Sequence, residues 1–178
     1  MLELLHTWLL DQGMNVDIAF YFARGVAIAG VLILSIAANF VAKRYILTAL
    51  TYIISRSKSK WDDAVLRQRA LNRLAHLAPA LVIYMLTPIA LDDMAQSIAF
   101  ISSAIQIYMV IILMLVVDSL LNTVEDIYQN FETSKEMPIK GFIQVLKIVL
   151  YFLTAIFVIS ILLNKTPVYL LSGIGALA

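Results

Sequence analysis

Four long apolar runs dominate this chain and leave it little choice of fold. They cover about residues 18–42, 75–91, 98–121 and 142–163, each within the roughly 17–25 residues a helix needs to cross a bilayer core. Backbone N–H and C=O groups in hydrocarbon must be satisfied within the segment, so runs of this kind fold as helices. Hydrophobic residues make up 62% of the chain and charged residues 14%, against about 45–50% and about 25% in soluble domains. The fold class that follows is all-α: a polytopic helical membrane protein with four complete transmembrane helices plus the start of a fifth.

That fifth segment is short. A polar turn, residues 164–167, leads through Pro167 into the glycine- and alanine-rich run 168–178. A helix there spans about 15 Å at 1.5 Å per residue, half of the roughly 30 Å core. The expectation is a transmembrane helix cut inside the membrane. At the other end, residues 1–17 carry no basic run, so they do not read as a secretory signal. Leu5, Trp8 and Leu9 form one apolar stripe, read either as a helix lying at the extracytoplasmic surface or as a frayed end.

Lysine and arginine set the expected orientation. Loop 43–74 holds eight: Lys43, Arg44, Arg56, Lys58, Lys60, Arg67, Arg69 and Arg73. Loop 122–141 adds Lys135 and Lys140, whereas the opposite side has only Lys165. By the positive-inside rule both longer loops are cytoplasmic, the N-terminus lies outside, and the fifth helix runs inward. Loop 43–74 reads as helical: Ile46, Ala49, Leu50 and Ile53 continue the first span, residues 57–60 break it, and Ser59 with Asp62 has capping spacing for a second helix that feeds the second span. Lys43, Arg44, Arg67, Arg69, Arg73 and, from the fourth span, Lys147 are candidates for contact with anionic lipid headgroups. The alternative is a topology signal without lipid selectivity.

Few charges enter the spans. Arg24 either snorkels outward, pairs with Asp17 or serves a pathway. Asp118 and Lys147 lie at similar depth in the third and fourth spans, so they either approach as an ion pair or snorkel separately. Gln106, Ser102 and Ser103 suit hydrogen bonds between helices. His6 and His76 fall at opposite interfaces and share no metal site. With no cysteine, no phosphate-cradling loop and no nucleophile–base spacing, enzyme chemistry has no foothold. No cofactor is expected, and a net charge of +1 gives no reason to expect nucleic acid. Small residues do recur. Ala19, Ala23, Ala27 and Gly30 line one face of the first span, and Ser172, Gly173, Gly175 and Ala176 fill the last segment. Both permit close helix approach, either around an axis or between two helices.

The run Pro138-Ile139-Lys140-Gly141-Phe142-Ile143-Gln144, the following span and turn, and the closing Leu170-Leu171-Ser172-Gly173-Ile174-Gly175-Ala176-Leu177-Ala178 resemble small-conductance mechanosensitive channels. Within that family the chain looks closest to the five-helix miniconductance type of bacterial inner membranes. Residues 138–178 carry most of the likeness, and 59–63 with 73–77 resemble that subtype's peripheral hairpin. The resemblance implies a homoheptamer around a pore that passes small ions and osmolytes and releases them on osmotic downshock. It implies that Ser172, Gly173, Gly175 and Ala176 pack in the pore helix, that the fourth span is part of a tension-sensing paddle, and that Lys140–Gly141 is its cytoplasmic hinge. Membrane lipids are then the other partner. The family continues into a soluble β-domain, so its gate residues find no counterpart in these positions. The competing reading is a non-channel helical anchor or assembly subunit; a secondary transporter lacks the paired broken helices and polar site it would need.

Overall fold

A computed structural model of the chain describes residues 2–46, 48, 52, 70–91, 94–129 and 139–177. All the regular structure among them is helical. Helix α1 (Leu2–Asp11) precedes α2 (Val16–Val41), which passes into a π-helical turn, Ala42–Ile46. Helix α3 (Ala70–Ala75) leads into α4 (Leu77–Ala90), followed by α5 (Ala95–Gln129), α6 (Lys140–Leu162) and α7 (Pro167–Leu177). Four helical stretches are long and apolar enough to cross a membrane: Val16–Tyr45, Asn72–Ala90, Ala95–Tyr128 and Lys140–Leu162. The protein is an all-α polytopic membrane-spanning chain.

Local chemistry fixes the ends. Asn15 caps α2 by accepting a 3.2 Å hydrogen bond from the Asp17 amide. Two turns stop helices in the same way. After α1, Gly13 takes φ 82°, its amide donates to Leu10 O and the Met14 amide to Leu9 O. After α6, Asn164 takes φ 51°, its amide donates to Ile161 O and the Lys165 amide to Ser160 O. This paired arrangement satisfies the last carbonyls of each helix, and glycine and asparagine are the residues that tolerate the left-handed position. Ser160 Oγ adds a bond to Lys165 O. Pro167 then opens α7, where its missing N–H costs nothing.

The spans pack mainly in chain order, α2 on α4, α4 on α5 and α5 on α6, as an open row. At most 22% of any span's apolar window is buried, so most of the apolar side chains face outward. Helix α1 folds onto α2, where Leu9 meets Ala19 and Ala23, with Leu10 and Met14 against them. The Leu9 side of the predicted stripe is thus a packing face, while Trp8 is exposed. The small-residue face of α2 serves this contact at Ala19 and Ala23. At Gly30 an added Cβ would meet nothing within 4 Å, so no close approach among the described residues of the chain requires that glycine.

Two predicted boundaries shift. In the second span the regular helix is interrupted at His76, between α3 and α4; Pro79, in the first turn of α4, cannot donate to the carbonyl of Ala75. The third span runs eight residues past 121, to Gln129, because its polar end continues a helical packing face, with Thr123 and Ile127 buried. In the first loop, Thr48 and Tyr52 are helical; Ala49, Leu50, Ile53 and the Ser59–Asp62 cap lie outside the described residues.

Candidate functional site: a polar seam between α5 and α6

Among the described residues, a connected polar cluster lies where α5 and α6 run antiparallel. Asp118, Asn122 and Glu125 recur at i, i+4 and i+7 on α5, and Lys147 and Tyr151 at i and i+4 on α6, so each set shares one helix face. Tyr151 Oη donates to Asp118 Oδ1 at 2.7 Å. Asn122 Nδ2 donates to Asp118 Oδ2 at 3.2 Å, and Lys147 Nζ donates to Asn122 Oδ1 at 2.6 Å. Lys147 Nζ also lies 3.9 Å from Glu125 Oε2, with the two side chains 19% and 16% exposed.

Asp118 and Lys147 are therefore joined through Asn122, which spends its amide on one and its carbonyl on the other. The ion pair belongs to Lys147 and Glu125. Asn122, Glu125 and Tyr151 extend the pair that sequence spacing suggested. Their signal was the i, i+4, i+7 polar stripe, which a boundary drawn by hydropathy at residue 121 cuts in half. In low-dielectric surroundings such bonds strengthen one another, and each orphaned member is costly. The arrangement fastens two helices. No group of three or more metal-ligating side chains occurs among the described residues.

Helix α5 is also held by α3. Arg73 Nη1, on α3, donates to Leu115 O at 2.7 Å. Ser119 and Thr123, 1% and 2% exposed, lie among the buried residues of α5, and Thr123 Oγ1 folds back onto Ser119 O. Arg73 and Lys147, both headgroup candidates from sequence, thus bond within the protein. Lys43 and Arg44 are exposed in the π turn, and Arg67 and Arg69 lie outside the described residues. Arg73→Ala is expected to cost only about 0.5–1.5 kcal/mol, because the Leu115 carbonyl keeps its place in the helical ladder and nothing is orphaned. Reversible unfolding in detergent, with Arg73→Lys retaining part of the loss, checks this.

The remaining candidates are spread along the chain. Arg24, 7% exposed, lies 4.3 Å from the Phe20 ring centroid, whereas Asp17 is exposed at the start of α2. Gln106 Nε2 donates to Tyr84 Oη at 3.0 Å, a hydrogen bond between α4 and α5. Lys140 and Gly141 are exposed at the start of α6. Ser172, Gly173, Gly175 and Ala176 are exposed on α7, which packs on α6, and an added Cβ at either glycine would meet nothing within 4 Å. Two apolar grooves flank α4. One, about 290 Å³, is lined by Ile28, Leu32, Thr87 and Leu91; the other, about 380 Å³, by Pro79, Phe100, Ile105 and Tyr108; both reach Ile83 and Ile101. No protein-family model matches the chain, and no solved structure matches it.

Proposed function

We propose that this chain is the tension-sensing membrane part of a mechanosensitive ion channel of the small-conductance family, five-helix miniconductance type, acting as a release valve on osmotic downshock. The observation that carries the reading is α7: a helix with an exposed Ser172–Gly173–Gly175–Ala176 face, attached to the rest through α6. Glycines cost a helix roughly 1 kcal/mol each, a cost that close packing against other copies around an axis offsets. In this reading seven copies bring their α7 helices together as the pore, in a bacterial inner membrane with the N-terminus periplasmic and the Lys/Arg-rich loops cytoplasmic.

Tension favours the state with the larger in-plane area, and only a free-energy difference between closed and open states lets it gate. The outward-facing apolar surfaces of the open row and the grooves beside α4 expose these helices to the lateral pull of lipid. Helix tilt, carried from α6 into α7, relaxes a dewetted constriction. Patch recordings of the full-length protein in plain lipid test the reading: tension-gated current is the expected result, and its absence would remove the mechanism.

A further inference from the structure

Two departures from regular α-helix face each other at one level of the α2–α4 pair. On α2, the Ala42 amide is shared between Ala38 O and Asn39 O, and the backbone widens into the π turn Ala42–Ile46. Such turns inside helices occur mostly as single insertions and often at functional positions. On the partner helix, the regular helix is interrupted at His76, between α3 and α4, and Pro79 leaves the Ala75 carbonyl without its donor four residues on. The two irregularities touch: the π turn packs on α3, and Ala42 and Ala75 are almost fully buried.

The level is fastened on both sides. Ser35 Oγ, one turn before Asn39, donates to Pro79 O at 3.3 Å and ties α2 to α4. Beyond the break, Arg73 ties α3 to α5 through Leu115 O. Between these ties Asn39 Oδ1 is buried and accepts no hydrogen bond among the described residues. A buried acceptor of this kind carries the cost of desolvation, so a rearrangement that brings it a donor recovers that cost.

We infer that residues 39–46 and 75–79 form a two-state joint, about which the π turn and α3 swing as one arm relative to α2 and α4, and that the second state is the one in which Asn39 Oδ1 gains a donor. Because Arg73 holds α3 to α5, the swing moves α5 with it. The joint stands on this geometry alone, whether or not the protein is a channel.

The chain has no cysteine, so spin labels can be placed at will. Tyr21, Ile36 and Tyr45 are exposed on the same helix, with Tyr45 inside the π turn and Ile36 before the joint. Labels at Tyr21 and Tyr45, in full-length protein diluted with unlabelled chain, are compared between bilayers of short-chain and long-chain phosphatidylcholine. The expected result is two distance populations, separated by roughly 1.5–5.4 Å (one rise to one turn), whose ratio changes with thickness. The Tyr21–Ile36 pair stays single and unchanged, which also reports that the variants fold. Asn39→Leu, which removes the orphan acceptor, lowers the second population about fivefold or more. Pro79→Ala, which restores a donor to Ala75 O, lowers it independently. One thickness-independent Tyr21–Tyr45 population, or two populations that neither substitution alters, overturns the joint.

Discussion

Asn122→Leu is expected to destabilise the α5–α6 pair by about 2 kcal/mol, because it takes one partner from each of two charged groups at once. Lys147 Nζ loses its 2.6 Å acceptor and Asp118 Oδ2 its 3.2 Å donor. A hydrogen bond to a charged group contributes about 1.5–3 kcal/mol, and partial exposure of the seam, with Lys147 keeping Glu125 and Asp118 keeping Tyr151, holds the sum toward the low end. A single hydrogen bond between membrane helices averages only about 0.6 kcal/mol, so a loss near 2 kcal/mol marks a network. The decisive measurement is a double-mutant cycle of Asn122→Leu with Lys147→Met, read by unfolding free energy in bicelles. A coupling of about 1 kcal/mol or more is expected, since the two substitutions remove one shared bond. Additive losses would mean that the seam is two unrelated contacts. Tyr151→Phe, which deletes only the outermost donor, is expected to cost less than half as much.

Leu9→Ala carries the second large effect. Leu9 is 3% exposed and is the centre of the contact between α1 and α2. Truncating a buried leucine costs about 2–5 kcal/mol in transfer and cavity terms. Here the loss has a ceiling, because α1 can detach once its anchor is gone and the cost then equals the docking free energy. The expected outcome is release of α1 with the spans intact. Amide exchange of residues 2–11 should rise by tenfold or more while protection of α5 and α6 is unchanged. Trp8→Ala is the comparison: that side chain is exposed and its removal should leave exchange in α1 as it was. Equal exchange in both variants would show that Leu9 does not hold the helix.

The spans were legible because hydrocarbon imposes one strong rule on the backbone, and runs of apolar residues record it directly. The tight turn at 164–167 was legible for a related reason, since asparagine tolerates the left-handed position that ends a helix and Pro167 has its φ fixed. What composition hid was side-chain direction. Arg73 and Lys147 read as headgroup contacts from the Lys/Arg count of their surroundings, yet each turns toward α5, one to a main-chain carbonyl and the other to Asn122 and Glu125. Counting charges locates a helix end and says nothing of which way a side chain points. The end of α5 was lost for a similar reason. Asn122 and Glu125 lower the local hydropathy while lengthening the helical packing face, so a rule built on hydropathy stops where a rule built on spacing continues. The π turn left no trace at all, because nothing in Ala42-Lys43-Arg44-Tyr45-Ile46 departs from ordinary helix-forming composition.

The turn after α6 has a mechanical consequence. Two amides close on the carbonyls of Ile161 and Ser160, and the Ser160 hydroxyl closes on that of Lys165, so the path from Ser160 to Lys165 has little slack. A flexible linker would absorb a displacement of the α6 end; this turn passes it on. Any sideways shift or rotation at Leu162 reaches Pro167 within one residue's freedom, and α6 and α7 behave as a crank with a fixed elbow. Lengthening the elbow, by inserting a glycine after Asn164, uncouples the two arms without changing either.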